Sequence, residues 1–200
     1  MAFPLGHIGS LDDFSNDLSA LCQEHVLTNR AKGFVFIFDN PKTQKLRKSG
    51  IYNSTRAVLD LNKIAGQKLT IFYLDGMDDS ARKYEARVDN FNHIFLDKIG
   101  YSEEIEFPCM LFFRIHKQEF SDFTLILLGR TELAFVYHDI KCGIQKLADS
   151  VDLVGIDISS LYNDHSKVRI IKGIKHYSIE SFKVLLAGIP SAIANNLLGL

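Results

Sequence analysis

The sequence predicts an α/β fold: a central sheet of four or five strands, mostly parallel with one antiparallel hairpin, flanked by helices on both faces. Three observations carry this. Phe34 to Phe38 is unbroken apolar sequence of strand length, and Leu69 to Leu74 is nearly so, as strands covered on both faces require. Between and around these runs lie segments whose apolar residues recur at helical spacing, and alternation of the two types marks a layered α/β chain. The 46% apolar and 24% charged shares over 200 residues are enough to build one moderate core without covalent staples.

Taken in order, Leu11, Phe14, Leu18, Leu21, Cys22, His25 and Val26 form the stripe of a helix over 11–28, with Ser10 as its N-cap. Gly33 ends the polar stretch that follows, and Phe34–Phe38 is the first strand, closed by Asp39-Asn40-Pro41. A basic loop carries Lys42, Lys45, Arg47 and Lys48. Asn53 or Ser54 then caps a helix running through Ala65, and Gly66 stops it. Leu69–Leu74 is the second strand, ending at Asp75-Gly76. A helix covers 80–99 and stops at Gly100. Residues 106–115 form a strand entered through Pro108; 117–122 is a polar turn, and 123–128 is a strand antiparallel to the one before it. Thr131-Glu132 opens a helix to Ala148 with the stripe Leu133, Val136, Tyr137, Ile140, Ile144 and Leu147. Beyond it, 151–158 and 168–171 read as short strands and 178–186 as a helix.

Several function classes fall away. A net charge of −1 provides no global field toward nucleic acid or anionic lipid, so nucleic acid would have to be met locally, through the basic loop. No apolar run approaches the ~18–20 residues that span a bilayer, and the first residues lack the pattern of a secretory signal. Three well-separated cysteines, Cys22, Cys109 and Cys142, each among apolar residues, read as reduced, buried thiols of a cytoplasmic protein.

The order strand, helix, strand, helix, proline-led strand, antiparallel strand, helix over 33–148 resembles the thioredoxin-like fold superfamily. Phe34–Asp39 resembles its first central strand, Lys68–Asp75 the next parallel strand, and Phe107-Pro108-Cys109-Met110-Leu111-Phe112-Phe113 the segment bearing its cis-proline. The resemblance implies a three-layer α/β/α sandwich with an N-terminal helical segment (1–32), a core (33–150) and a C-terminal extension (151–200) packed on the core or on a partner. It also implies a cis bond between Phe107 and Pro108. One departure decides the chemistry. The family's redox motif follows the first central strand, where a helix N-terminus lowers a thiol's pKa. Here that stretch, 40–54, has no cysteine, so dithiol exchange is not carried over.

Other constellations are weaker. Asp39, Asp75 and Asp78 gather near strand ends, where α/β sheets bind ligands, and with Lys42 or Lys45 they would suit an enzyme acting on a phosphorylated or nucleotide-like ligand. The plainer reading is that these aspartates cap turns, as the cations of the loop are more often a solvated segment. Cys109, beside the proline, is a candidate thiol or a buried strand residue. No two of the seven histidines lie three to five apart, and none is read as standing at a ligand interval from a cysteine. No metal site and no cofactor are therefore expected. The tail from Ala187 to Leu200 is dense in leucine and isoleucine and must be packed or paired. The leading expectation is a non-catalytic interaction module, an oligomer or a subunit of a larger assembly, that recognises a protein partner through the basic loop and the apolar C-terminus.

Overall fold

The computed structural model describes residues 2–5, 11–44, 46, 54–74, 81–101, 105–116, 119–128, 132–152, 169–172 and 177–178. In chain order these form β1 (Ala2–Leu5), α1 (Leu11–Leu27), β2 (Gly33–Phe38), α2 (Thr55–Ala65), β3 (Leu69–Leu74), α3 (Ala81–Lys98), β4 (Cys109–His116), β5 (Glu119–Leu127), α4 (Leu133–Ser150), β6 (Arg169–Lys172) and β7 (Tyr177–Ser178). All seven strands belong to one sheet of order β1-β3-β2-β4-β5-β6, with β7 also pairing β5.

The helices lie on both sides of this sheet, and β2 shows why. Alternate residues of a strand face opposite sides. Phe34, Phe36 and Phe38 enter one core with Phe72, Leu111 and Phe113, covered by Leu18 and Cys22 of α1 and by Val88, Phe91 and Phe95 of α3. Val35 and Ile37 enter the other with Ile71, Met110 and Phe112, covered by Ala57, Leu61 and Ala65 of α2 and by Val136, Ile140, Ile144 and Leu147 of α4. The parallel crossovers explain the division. The chain passes from β1 over β3 to β2, then steps back to β3, and with a constant right hand these opposite steps place α1 and α2 on opposite faces.

The first core is built largely of phenylalanine. Phe36 and Phe38 stack with centroids 4.6 Å apart, Phe91 and Phe95 at 5.4 Å, and Phe34 and Phe113 at 5.5 Å. Across the second, α2 and α4 are tied by Tyr137 Oη donating to the Ala57 carbonyl at 3.2 Å and by Lys141 beside Asp60 at 3.7 Å. Gly33 packs so closely that any side chain there would displace its neighbours. A Cβ there would sit 2.5 Å from Val151 Cγ2 and 2.6 Å from Leu69 Cδ2, well inside contact distance.

Several expectations need correction. Among the described residues the sheet has seven strands, of which β1·β3 and β2·β3 pair parallel and β2·β4, β4·β5, β5·β6 and β5·β7 antiparallel. An unbroken apolar run reports burial on two faces and says nothing of direction, which is how a mostly parallel sheet came to be expected. β1 escaped notice because four residues containing Pro4 carry little strand signal; an edge position tolerates the proline. The stretch 117–122, expected as a turn, already belongs to β5 from Glu119. Its polar sequence conceals Phe120, which is fully buried, and a register shift at which Asp122 takes φ 57° and its carboxylate binds Arg114. Val151 and Asp152 form a turn rather than a strand start, and 153–158 lie outside the described residues. Ser178, expected to begin a helix, pairs Glu119 in β7 beside Tyr177, which pairs Phe120, and 179–186 lie outside the described residues. The strand expected at 168–171 is present as β6. Both terminal segments set apart by the sequence, 1–32 and 151–200, contribute strands to the sheet.

One buried polar pair sits in the phenylalanine layer. His25 of α1 is 1% exposed, and its Nδ1 lies 2.6 Å from Thr70 Oγ1 on β3. Burial is the largest influence on the imidazole and lowers its pKa; Glu24 opposes this and Arg30 adds to it. A histidine held neutral by folding stabilises the native state fully above its unfolded pKa, and that contribution is lost as pH falls through the lowered folded value. Urea unfolding should therefore show stability declining as pH drops below about 6.5, with a smaller decline in His25→Gln; an unchanged decline in the variant would place the effect elsewhere.

Candidate functional site

The polypeptide leaves the carboxyl end of β2 as Asp39-Asn40-Pro41, and two side chains there organise the loop. Asp39 is 3% exposed. Its Oδ1 accepts from the Asn40 amide at 2.8 Å and from the Leu46 amide at 3.2 Å. Asn40 Oδ1 accepts from the amides of Lys42 (3.1 Å) and Thr43 (2.9 Å), an Asx turn, while its carbonyl accepts from Gln44 N at 2.7 Å. Gln44 has φ 50°.

The loop is also bound to its neighbours. Asn40 Nδ2 donates to the Phe107 carbonyl at 3.2 Å, and Asn92 Nδ2 of α3 donates to the Asp39 carbonyl at 3.0 Å. The Phe107–Pro108 peptide bond is cis, as the resemblance implied, and the Pro108 carbonyl accepts from Leu128 N at 3.3 Å. The Phe107 ring meets His93 edge-on at 5.7 Å, and His93 Nε2 lies 3.4 Å from Asp89 Oδ1. Three pieces of chain distant in sequence thus meet at one end of the sheet: the exit of β2, a turn of α3, and the proline that leads into β4. Lys42, Thr43 and Glu106 are exposed there. The arrangement offers hydrogen-bonding and charged groups on a braced loop.

Of the residues singled out by sequence, Asp39 holds the loop, as the plainer reading had it. Lys42 is exposed on the same loop. Lys45, Arg47 and Lys48 lie outside the described residues, as do Asp75 and Asp78. Cys109 opens β4 directly opposite Phe38 in the register, near this end of the sheet, but it has no exposure, and burial pushes its thiol pKa well up. A buried, protonated thiol is a poor nucleophile. Asn40, Asn92 and His93 were passed over. Asp-Asn-Pro is a strong turn signal, so the first was within reach of sequence; the other two sit on a helix whose polar residues do not reveal which of them face inward.

The cysteines and histidines differ from expectation in two respects. Cys22 and Cys109 are buried, but Cys142 is only partly so. It lies two residues beyond Ile140, about 200° around α4, and so falls off the apolar stripe. Four residues before it stands His138, a ligand interval that the sequence reading missed, and the two side chains touch. Among the described residues no group of three or more histidine, cysteine, aspartate or glutamate side chains converges, and no helix is long and apolar enough to cross a membrane. A pocket of about 210 Å³ opens at the other end of the sheet, where Lys68 and Lys32 stand 3.3 Å and 4.0 Å from Asp152. No protein-family model matches the chain, and neither the curated proteins nor the solved structures contain a match to it.

Asn40→Ala removes the acceptor for two amides and the donor to Phe107. It should destabilise the fold by about 1–3 kcal/mol and make the loop a preferred site of limited proteolysis. A variant with native stability and cleavage pattern would mean that these bonds do not hold the loop.

Proposed function

We propose that the chain is a thioredoxin-like protein without redox chemistry that serves as a protein-interaction module, self-associating or joining a larger assembly. The observation that carries this reading is the bonding of residues 39–44 and 46. Where the resembled family holds its thiols, this chain has a loop fastened by Asp39 and Asn40 and no cysteine. Supporting the family reading are the order β1-β3-β2-β4-β5, with the first three strands parallel, β4 antiparallel to β2 and β5 antiparallel to β4, and the cis-proline beside the loop. Supporting the recognition role is pre-organisation: a loop already fixed by hydrogen bonds loses little entropy on binding. The Asp39 carboxylate is engaged with loop amides, which favours recognition over an enzyme that would use that group on a phosphorylated ligand. The apolar stretch Leu185–Leu200 provides the second surface, for self-association or a partner.

Two experiments test these surfaces. A photo-crosslinking residue at Thr43, introduced in cells that express the protein, should give an adduct of one discrete mass. The same residue at Glu24, exposed at the other end of the sheet, should not. Equal labelling at both positions, or none at Thr43, removes the loop from the proposal. Light scattering on a chain ended at Gly188 should show a smaller assembly than the full chain, and an unchanged mass removes the tail.

A further inference from the structure

We propose that His138 and Cys142 form a two-residue chelating site for a zinc-class divalent ion on the outer face of α4. Residues four apart on a helix stand one above the other on the same face, and here they already converge, with His138 Nε2 3.4 Å from Cys142 Sγ. That separation is a chelate bite. With Zn–S near 2.3 Å and Zn–N near 2.0–2.1 Å, tetrahedral coordination sets the two donors about 3.5 Å apart. The two donors therefore already stand at the separation that one ion requires.

The core has no use for either residue. Val136, Ile140, Ile144 and Leu147 supply the buried stripe of α4, while His138 is exposed and Cys142 half-exposed. The other thiols, Cys22 and Cys109, are wholly buried and burial pushes both well up in pKa, so neither is accessible to an ion from solution. A thiolate with an imidazole selects zinc and its neighbours over magnesium or calcium, which prefer oxygen. On binding, the Cys142 S–H bond breaks, its proton passes to solvent and the sulfur electron pair forms the S–metal bond; the neutral imidazole donates through Nε2. Two protein ligands leave the remaining positions to water, so the ion keeps an open face. Bridging one turn of α4, it also fastens the helix that closes the second core.

Cadmium is the probe, because its bond to thiolate gives an ultraviolet charge-transfer band. Titrated into the full-length reduced protein, it should give a band that saturates at one ion per chain, displaced by zinc and not by magnesium. Cys142→Ser should abolish it. His138→Ala should weaken binding by at least about tenfold, the lower end of the loss that is typical even when only an outer contact of a metal site is removed. Both positions face solvent, so the variants retain the fold, checked by circular dichroism. A band that survives Cys142→Ser, that forms equally well in His138→Ala, or that magnesium displaces would overturn the site, as would the absence of any band.

Discussion

β2 is paired on both edges and covered on both faces, and the rest of the fold is arranged around that constraint. Burying a phenylalanine is worth roughly 1.5–3 kcal/mol, against about 1 kcal/mol for a typical hydrogen bond. Phe34, Phe36 and Phe38 therefore dominate one side of the strand, and they need α1 and α3 above them. Val35 and Ile37 make the same demand for α2 and α4 below. With β3 on one edge and β4 on the other, no backbone group of the strand meets water along its length. The first residue able to leave this environment is at its carboxyl end, and it is there that Asp39 turns the chain out.

The loop after β2 inherits its order from this anchoring. Asp39 is nearly as buried as the strand it follows, so its carboxylate must be satisfied, and the amides of Asn40 and Leu46 do so. Asn40 then fixes the following turn and reaches Phe107, which ties the exit of β2 to the entry of β4. The same two strands are already neighbours in the sheet, so loop and cis-proline segment are held at a set separation. No cysteine lies in 40–54, so this geometry is built without a thiol. The result is a hydrogen-bonded loop that exposes Lys42 and Thr43.

Much of this was readable from the chain. The runs Phe34–Phe38 and Leu69–Leu74, the stripes of the helices and the proline before Cys109 all carry periodicity or turn chemistry, and each appears where expected. The misses share a physical origin: they depend on contacts between distant segments. Ala2–Leu5 is a strand only because β3 offers an edge to it. Glu119–Asp122 is polar enough to pass for a turn, yet the register of β4 draws it into the sheet. Burial made the strands legible but not their directions, since direction is set by how the connecting helices cross. At the site, Asp39 could be placed by sequence, whereas its partner Asn92 could not. The His138–Cys142 contact was accessible from spacing alone, once α4 was taken as a helix.

The central claim is that the loop is a preformed part of the surface, held by the end of a strand buried along its whole length. Amide hydrogen exchange measures this directly. The amides of β2 should exchange only through global unfolding. Those of Thr43 and Leu46, bonded to Asn40 and Asp39, should show clear protection although the loop faces solvent. Exchange of these two amides at the rate of an unstructured chain, with β2 still protected, would contradict the account.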